Sequence, residues 1–551
     1  MAGKPNTFIQ IHEKDNVLVA LVDLPAESTI DFGGKTITLR QEIQAKHKFT
    51  IEPLAKEDLI YMYGTVVGRT KIDLPVGSLI TTQNTVHEAA YFGKKTENYQ
   101  WNPPSISRFQ GRTFKGFHRE DGQVGTANYW LIIPLVFCEN RNVEVIKDAF
   151  NDALGYGKIN PFKSMVKNMV KLHQEGKQDE IVNLNVEKAK EMESKLLFPN
   201  LDGIKVLDHQ GGCGGTRRDS ESLCALLAGY INNPNVAGAT VLSLGCQNAQ
   251  PSILKEKLHK INPELKKPLI ILEQQKEGTE QQLLSEAIKK TFLGMVEANK
   301  QERKPAPLSK LTVGLECGGS DGFSGISANP AVGYASDLIV ALGGTTMLSE
   351  FPELCGVEQE LINRCTTDES ADKFAALMKA YAASAVAVGS GFDMNPSPGN
   401  IMDGLITDAI KSAGAAKKGG TSPVTDVLDY AEYFQKPGLN LVCTPGNDVE
   451  STTAMAGSGA NVMLFTTGLG TPTGNPIAPV IKIATNTKLA NKMPDIIDID
   501  TGGIISGEKS IPEMGEEILE TIIKVASGEV KPKAVLLAQD DFIPWKRGVS
   551  L

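Results

Sequence analysis

The hydrophobic pattern of the first ninety-odd residues is that of short β-strands separated by turns. Residues 17–22 form an apolar run with high strand propensity. Two further runs flank the pair Gly33-Gly34, which is typical of a two-residue hairpin. Turn residues then recur every few positions. The pattern predicts a small β-rich domain over residues 1–95.

Beyond a polar, irregular stretch over residues 96–115, typical of a linker, the pattern changes. Short apolar segments now alternate with segments whose apolar residues recur every three or four positions. The predicted strands span residues 129–136, 204–207, 240–244, 269–272, 311–315, 345–348, 439–442, 462–465 and 496–499. The predicted helices span residues 165–174, 219–232, 278–297, 368–386 and 515–526, with Asp219 or Ser220 as N-cap of the second.

This alternation predicts an α/β fold with mainly parallel, Rossmann-like sheets whose two faces are covered by helices. A second polar stretch, over residues 299–307, predicts another boundary near residue 305. The predicted organisation is a β-rich domain (1–95), a linker (96–115), a middle α/β domain (116–304) and a C-terminal α/β domain (305–551).

Composition and charge argue against several classes of protein. The formal net charge of −9 argues against a general affinity for nucleic acid or anionic membranes. The longest apolar run, residues 129–138, is far shorter than the roughly 20 residues of a membrane span. The first residues lack the apolar core of a secretory signal, and eight cysteines are too few for a disulfide scaffold. A reduced, cytoplasmic protein is therefore expected.

The strongest chemical signal is a set of Gly-rich loops that directly follow predicted strands. In open α/β sheets, ligands bind beyond the carboxyl ends of the strands. Three of these loops set a cysteine beside glycines: Cys213, Cys246 and Cys317. Glycine permits close backbone approach, so such a thiol can face a ligand. Cys138 and Cys224 are instead predicted to lie in the core.

Two kinds of metal site are compatible with these loops. Thiolates together with His209 suit iron or zinc, and the lack of Cys-x-x-Cys disfavours a zinc ribbon. A site with oxygen ligands would suit ferrous iron, manganese or magnesium. Its candidate ligands are Glu316, Asp321, Glu350 and Asp448. NAD is not expected, because the loop at Gly468 departs from G-x-G-x-x-G, and no Walker A motif occurs.

In the β-rich domain, the candidates for proton transfer lie in two short motifs, His12-Glu-Lys-Asp15 and His47-Lys48. Imidazole titrates near neutral pH, which makes histidine the natural general base. A histidine beside a carboxylate also commonly makes a purely structural hydrogen bond. The residues alone leave both alternatives open.

Ordered motifs along nearly the whole chain resemble those of the altronate/galactarate dehydratase family of sugar-acid hydro-lyases. They are His12-x-x-Asp15-Asn16-Val17, His47-Lys48, Asp121-Gly-x-Val124-Gly125, His209-x-x-Gly-Cys213, Gly245-Cys246, Cys317-Gly-Gly-Ser-Asp321, Ala328-Asn329-Pro330, Gly333-x-x-Ser336-Asp337, Asn395-Pro-Ser-Pro-Gly-Asn400, Gly470-Thr-Pro472 and Lys482-x-Ala484-Thr485. The resemblance implies an N-terminal SAF-type β-clip domain, a middle domain and a larger C-terminal domain. Within the family, the altronate branch is the nearer likeness.

The resemblance implies dehydration of D-altronate to 2-dehydro-3-deoxy-D-gluconate in galacturonate catabolism, assisted by ferrous iron or manganese. A metal would stabilise the developing enediolate, a base would remove the C2 proton, and an acid would protonate the departing 3-hydroxyl. The candidates for proton transfer are His12, Asp15, His47 and Lys48. The candidate substrate ligands are Arg217, Ser320, Asp321, Asn329, Thr471 and Lys482. The candidate metal ligands are His209, Cys213, Cys246 and Cys317.

Several alternatives remain at this stage. Residues 79–84 lack the His-rich segment of the altronate branch and resemble the galactarate branch, so galactarate dehydratase or a sulfo-lyase is one alternative. An iron–sulfur cluster with one open iron is an alternative to a single metal ion. Gln247 and Leu469 stand where the family has glutamate and arginine. The third alternative is therefore a sugar-acid-binding protein that has lost its activity. The expected partner is the sugar acid, with no nucleic acid and no membrane, and the expected assembly is a homo-oligomer, a dimer.

Overall fold

The chain is described from a computed structural model, in which residues 6–157, 160–186 and 196–551 are described. The N-terminal part consists of the strands β1 (Phe8–Ile9), β2 (Val17–Ala20), β3 (Thr29–Phe32), β4 (Lys35–Thr38), β5 (Lys48–Thr50), β6 (Leu59–Met62), β7 (Thr65–Thr70) and β8 (Thr85–Val86). They form small antiparallel sheets, with β2 between β1 and β5, and β7 between β6 and β8. The predicted hairpin at Gly33 and Gly34 joins β3 to β4, and both glycines have positive φ, 57° and 74°. The β-rich character of this part is confirmed.

The middle part of the chain forms a sheet of four parallel strands, in the order β12-β11-β13-β14. Its elements are β9 (Thr113–His118), β10 (Val124–Gly125), β11 (Tyr129–Pro134), α1 (Asn140–Leu154), α2 (Pro161–Gln174), β12 (Gly203–Val206), α3 (Arg217–Asn232), β13 (Val236–Ser243), α4 (Pro251–Ile261), β14 (Leu269–Glu273), α5 (Gln274–Glu277), α6 (Glu280–Ala298) and β15 (Arg303–Pro307). Side chains alternate along β11, so Leu131 and Ile133 pack with α3 and α4, whereas Trp130 and Ile132 pack with α1 and α6. Burial of both faces explains the continuous apolar run in this strand.

The two polar stretches that predict linkers lie side by side. β9, which begins at the end of the first stretch, pairs antiparallel with β15 of the second, and β10 completes this small sheet. The second stretch is therefore partly a strand and not an open linker. Pro305 and Pro307 obscure this strand in the sequence, because proline lacks the N–H group that a ladder uses.

The C-terminal part contains a sheet of seven parallel strands, in the order β18-β19-β17-β16-β20-β21-β22. Its elements are β16 (Thr312–Cys317), α7 (Ala328–Ala341), β17 (Thr345–Leu348), α8 (Glu358–Arg364), α9 (Asp368–Ala387), α10 (Pro398–Met402), α11 (Asp408–Ala415), β18 (Val424–Leu428), β19 (Gly438–Val442), α12 (Asp448–Gly457), β20 (Val462–Thr467), β21 (Val480–Ala484), α13 (Thr487–Lys492), β22 (Ile499–Asp500), α14 (Gly502–Ser506), α15 (Ile511–Ala526) and α16 (Lys533–Leu536). Its apolar side chains pack with α9 and α11 in one cluster, and with α7 and α15 in another. The predicted fold class, α/β with mainly parallel sheets, is confirmed.

Some element positions differ from the predictions. In the C-terminal sheet the predictions omit β18 and β21, and of residues 496–499 only the last joins a strand. Thr216 is the N-cap of α3, so the prediction of Asp219 or Ser220 is wrong. Asp219 is the third helical residue, and its carboxylate closes a capping box with Thr216. Among the helices of the described ranges, none is long and apolar enough to cross a membrane.

Candidate active site

The carboxyl edge of the seven-stranded sheet carries a cluster of buried charged side chains. Glu316 and Cys317 end β16, Glu350 follows β17, Asp448 begins α12, and Lys482 lies on β21. Because these strands are parallel, their carboxyl ends meet at one edge, where ligands bind in open α/β sheets. Glu316 and Lys482 are both 0% exposed, so their charges are costly unless neighbouring groups compensate them.

Three carboxyl groups face one another in this cluster. Oxygen atoms of Glu316, Glu350 and Asp448 lie within 4.8 Å of one another. Ser451 Oγ donates to Glu316 Oε2 at 2.5 Å, but Oε1 of Glu316 and of Glu350 has no hydrogen-bond partner among the described residues. Burial and the charge of Glu350 raise the pKa of Glu316 well above its usual value, and burial raises the pKa of Asp448 to about 7. Three buried carboxyl groups this close together repel one another when ionised, unless they share protons or bind a cation.

A second group of side chains joins the first through Glu350. Lys418 Nζ donates to Glu350 Oε2 at 2.6 Å and lies 2.7 Å from Cys317 Sγ. Glu353 Oε2 lies 3.5 Å from the same sulfur, and Lys411 Nζ donates to Glu353 Oε1 at 2.6 Å. Burial opposes ionisation of Glu353, but the two lysines outweigh it and lower the pKa of this carboxyl. Lys418 and Lys411 thus compensate Glu350 and Glu353, whereas Oε1 of Glu316 and of Glu350 has no hydrogen-bond partner among the described residues.

Glu350 occupies this position in a strained backbone conformation. Its φ of 63° lies in the left-handed region, which residues other than glycine and asparagine rarely adopt. Glu350 N donates to Thr444 Oγ1 at 2.8 Å, which holds the turn between β17 and the 3-10 helix Phe351–Leu354. Strain of this kind costs of order 1–3 kcal/mol and concentrates at functional sites. This backbone conformation places the side chains of Glu350 and Glu353 in the same cluster.

The N-terminal domain contributes two lysines to the same edge of the sheet. Lys46 Nζ lies 3.0 Å from Asp321 Oδ2 and 2.6 Å from Asp403 Oδ1. Lys48 Nζ donates to the carbonyl oxygens of Lys46, at 2.9 Å, and of Gly404, at 2.6 Å. Asp321 belongs to the loop that follows β16. These contacts therefore join the two domains beside the carboxyl cluster.

Lys48 is held in a state suited to accept a proton. It is 1% exposed, and burial lowers its pKa to about 7. A neutral amine has two N–H groups and one lone pair, and both N–H groups have carbonyl acceptors here. The lone pair is then free for a proton. Lys482 is similar in one respect, since burial also lowers its pKa to about 7.

The other candidates for proton transfer make their hydrogen bonds within the N-terminal domain. Asp15 accepts from the main-chain N–H groups of His12 and Gly64, both at 2.9 Å, and so stabilises a turn. His12 is exposed. His47 is half-buried; its Nδ1 lies 3.2 Å from a main-chain oxygen, and burial lowers its pKa. Of the four candidates, only Lys48 forms a hydrogen bond to the C-terminal domain among the described residues.

Four of the candidate substrate ligands lie at the carboxyl edge of the C-terminal sheet. Asp321 and Lys482 have been described. Ser320 is buried beside Asp321 in the same loop. Thr471 also reaches this loop, since its Oγ1 lies 2.8 Å from the position that a Cβ on Gly319 would take. These four residues remain candidates on their placement.

Of the remaining two candidates, Asn329 lies next to the carboxyl edge of the C-terminal sheet, since its partner Thr466 pairs with Cys317, whereas Arg217 lies in the middle domain. Asn329 accepts a hydrogen bond from Thr466 Oγ1 at 2.6 Å and donates one to Gly414 O at 3.0 Å, so its amide is committed to the fold. Arg217 is exposed at the first turn of α3 in the middle domain. The structure does not bring either side chain to the charged cluster by a described contact.

The four candidate metal ligands are not brought together. Three groups of metal-binding side chains in the described ranges have ligand atoms within 4.8 Å of one another, and only Cys317 of the four belongs to one. Both ring nitrogens of His209 bond to the main chain, at 2.7 and 3.0 Å, and burial lowers its pKa to about 4. His209, Cys213 and Cys246 follow strands of the middle sheet, whereas Cys317 ends a strand of the C-terminal sheet. The structure thus divides the four residues between loops of two sheets, and their role in metal binding stays a prediction.

Sequence reasoning missed five charged residues of the site, three lysines and two acidic residues that pair with lysines. They are Lys46, Glu353, Asp403, Lys411 and Lys418. Lys418 is separated from Cys317 by 101 positions in the chain and follows no predicted strand. Two of the five could have been suspected from their neighbours in the sequence, because Lys46 precedes the His47-Lys48 motif and Glu353 lies three positions after Glu350.

Family models match three consecutive regions of the chain. Residues 6–88 match the altronate/galactarate dehydratase SAF domain. Residues 116–299 match the second domain of D-galactarate dehydratase/altronate hydrolase, and residues 308–550 match the C-terminal domain of D-galactarate/altronate dehydratase. The predicted SAF-type domain at the N-terminus is thereby confirmed.

Curated proteins resemble the chain over nearly its full length. Altronate dehydratase of Escherichia coli (strain K12) is 33% identical, over 99% of this chain and 100% of that protein. Altronate dehydratase of Bacillus subtilis (strain 168) is 34% identical, over 95% of this chain and 96% of that protein. Galactarate dehydratase (L-threo-forming) of Escherichia coli (strain K12) is 31% identical, over 95% of this chain and 93% of that protein.

Proposed function

The chain belongs to the altronate/galactarate dehydratase family, which makes it a hydro-lyase that dehydrates a sugar acid, and we propose that its substrate is D-altronate. The product would be 2-dehydro-3-deoxy-D-gluconate. This choice is supported by the two altronate dehydratases, at 33% and 34% identity. Galactarate is the second candidate, because a galactarate dehydratase is 31% identical over 95% of the chain.

The carboxyl cluster fits a divalent cation, for which we propose ferrous iron, with manganese as the alternative. Buried oxygens of Glu316 and Glu350 are unpaired within the described part of the chain, and Asp448 supplies a third oxygen within 4.8 Å. Oxygen donors suit both cations. A bound cation would supply Lewis-acid stabilisation of the negative charge that develops on the substrate carboxylate and 2-oxygen.

Lys48 then removes the proton from C2 of the sugar acid. A base works best when its pKa lies near the working pH, and burial brings the pKa of Lys48 to about 7. Its two carbonyl acceptors fix the direction of the lone pair. Burial is the main cause of the low pKa of Lys48; the carboxylate of Asp321 opposes it, and the positive charge of Lys46 acts in the same direction as burial.

Lys482 protonates the departing 3-hydroxyl. Its pKa of about 7 means that the ammonium form is populated near neutral pH and gives up its proton readily. Both lysines are enclosed, at 1% and 0% exposure, so water is excluded from the enediolate while the N-terminal domain is in place. The enol product then ketonises without further help.

The observation that supports this proposal is the position of Lys48, which the N-terminal domain inserts near the buried carboxylate of Asp321, in the loop that follows β16, where it bonds to Gly404 O. The test is a panel of aldonates and aldarates, each assayed for a 2-keto acid with Fe²⁺, Mn²⁺ or Mg²⁺ after chelation. We expect the highest kcat/KM with D-altronate and Fe²⁺. Preference for galactarate would select the second candidate, and full activity after exhaustive chelation would exclude the metal.

A further inference from the structure

The exposed cysteines of the chain all lie in the middle domain. Of the eight cysteines, Cys138, Cys213 and Cys246 are exposed, and the other five are partly or fully buried. Free cysteine is among the most buried residue types, so three exposed thiols are unusual. The core prediction is confirmed for Cys224, which is buried, and is wrong for Cys138, because β11 ends at Pro134.

The three thiols follow neighbouring strands of one sheet. Cys138 lies in the 3-10 helix Phe137–Glu139 after β11, Cys213 in the loop after β12, and Cys246 in the loop after β13. These strands are parallel and adjacent, in the order β12-β11-β13. The three loops therefore meet at the carboxyl edge of the middle sheet.

Main-chain hydrogen bonds tie the three loops together. Phe137 N donates to Gly211 O at 3.1 Å, which joins the first loop to the second. Ala249 N donates to Gly212 O at 3.0 Å, which joins the third loop to the second. Gly212 has φ of 93°, and a Cβ there would collide with Leu135 O. Only glycine fits this close approach, so the three loops that carry the thiols are held against one another at this point.

Gln247 holds the third loop in shape. Its Oε1 accepts from Gly245 N at 2.6 Å, and its Nε2 donates to Ser243 Oγ at 2.5 Å and to Ala249 O at 3.1 Å. The side chain is 2% exposed. This side chain is committed to the loop, whereas Cys246 beside it is exposed.

A cavity of about 310 Å³ lies beside the second loop and is lined in part by Cys213. Trp545 and Lys546 of the C-terminal tail form part of the opposite wall. The end of the tail is fixed to the cysteine loop, because Leu551 N donates to Gly214 O at 2.7 Å. A cavity of this size accommodates a small organic acid.

We propose that Cys138, Cys213 and Cys246 hold an iron–sulfur cluster, at a site separate from the carboxyl cluster and beyond the proposed function. Thiolates are the ligands of such clusters, and three of them leave one iron of a [4Fe–4S] cluster open. The three cysteines belong to loops that follow adjacent parallel strands and are joined by main-chain hydrogen bonds, so they lie along one edge of the middle sheet. Positive φ at Gly212 and Gly214 is typical of main-chain concavities that bind anionic clusters.

The test begins with the full chain, purified without oxygen and reconstituted with ferrous iron and sulfide. We expect bound iron, acid-labile sulfide and visible absorption in the wild-type protein. Cys138→Ser, Cys213→Ser and Cys246→Ser should each lose most of the sulfide and the absorption. Cys224→Ala is the matched control, because that thiol lies on α3 of the same domain in the core, and it should retain both.

A second measurement does not depend on how the variants fold. Alkylation followed by mass spectrometry should find the three thiols protected in the reconstituted protein and reactive after the cluster is removed. A reconstituted protein without acid-labile sulfide, a single bound ion, or a disulfide between two of the thiols would each overturn the proposal. The dehydratase activity of a Glu316→Gln variant is measured separately. The proposal of an iron–sulfur cluster and the proposed role of the carboxyl cluster are therefore tested independently of each other.

Discussion

Two lysines two positions apart show how local charge decides the chemistry of a side chain. Burial lowers the pKa of Lys48 to about 7. Burial acts on Lys46 in the same direction, but the carboxylates of Asp321 and Asp403 outweigh it and raise the pKa of Lys46. Lys48 has only carbonyl acceptors within hydrogen-bond reach. The same residue type therefore serves as a fixed cation in one place and as a base in the other.

The first prediction tests Lys48 as the base. Lys48→Met preserves most of the side-chain volume and removes the amine, so kcat should fall about 10²–10⁴-fold, whereas KM should change little. Steady-state kinetics with D-altronate measure both constants. Lys56→Met is the control, because Lys56 is exposed in the same domain. Equal activity of the two variants would show that Lys48 is not the base.

The second prediction concerns pH. Lys48 is neutral only above its pKa of about 7, so kcat/KM should fall as the pH drops below that value. Lys482 is protonated only below its pKa of about 7, so kcat/KM should also fall as the pH rises above it. The expected profile is a bell with its maximum near neutral pH. The residual rate of Lys48→Met should lack the acidic limb; an unchanged profile in that variant would contradict the assignment.

At the residue scale, the sequence indicates groups that stand in motifs or at strand ends. Lys48, Asp321 and Lys482 are found in this way, and all three lie at the candidate site. Lys411 and Lys418 are not found, because local sequence does not distinguish an exposed lysine from a lysine that pairs with a buried carboxylate far away in the chain. The separation of 101 positions between Lys418 and Cys317 shows how little local sequence says about such a pair.

At the element scale, the loop after β16 links the two halves of the site. Gly318, at the start of this loop, approaches the N-terminus of α12 so closely that a Cβ would collide with Asp448 Oδ2. Gly322, further along, lies against Lys46 of the N-terminal domain. One short loop thus sets the distance between the carboxyl cluster and the lysines of the N-terminal domain.

The third prediction tests this close approach. Gly318→Ala should displace Asp448 and lower kcat roughly 10²-fold, since small misplacements in an active site have effects of this size. Gly399→Ala is the control, because a Cβ there meets nothing within 4 Å. Circular dichroism and thermal denaturation show whether both variants fold. A folded Gly318→Ala variant with unchanged kcat would show that the position of Asp448 does not matter.

Elements with a clear apolar period are predictable here, and those defined by tertiary partners are not. Strands buried on both faces, such as β11 and β20, appear as apolar runs because helices cover both sides. β15 contains two charged residues and two prolines among its five residues, and becomes a strand only because β9 lies beside it. The N-cap of α3 is Thr216, three residues before Asp219 and four before Ser220, because Thr216 and Asp219 form a capping box together.

At the scale of the whole molecule, the site depends on contact between domains far apart in sequence. The bond from Lys48 to Gly404 O spans 356 positions. Apolar residues of the N-terminal domain, including Tyr63 and Val67, share a cluster with Phe323 and Ile410 of the C-terminal domain. Periodicity predicts each domain but carries no information on which surfaces meet. The pairing of the domains is therefore the part of the site that only the structure supplies.

The last prediction tests whether this pairing is required for activity. Lys46→Met leaves the buried carboxylate of Asp321 without its cation, which should weaken the docking of the N-terminal domain by about 1–3 kcal/mol. Hydrogen exchange should become faster around residues 46–50 and 403–405 but not in the central strands of the C-terminal sheet, and kcat should fall because Lys48 is no longer fixed. Lys71→Met, an exposed position in the same domain, should change neither. If Lys46→Met exchanges faster at the junction yet keeps full turnover, the N-terminal domain serves assembly, and proton transfer at C2 must be assigned to a residue of the C-terminal sheet.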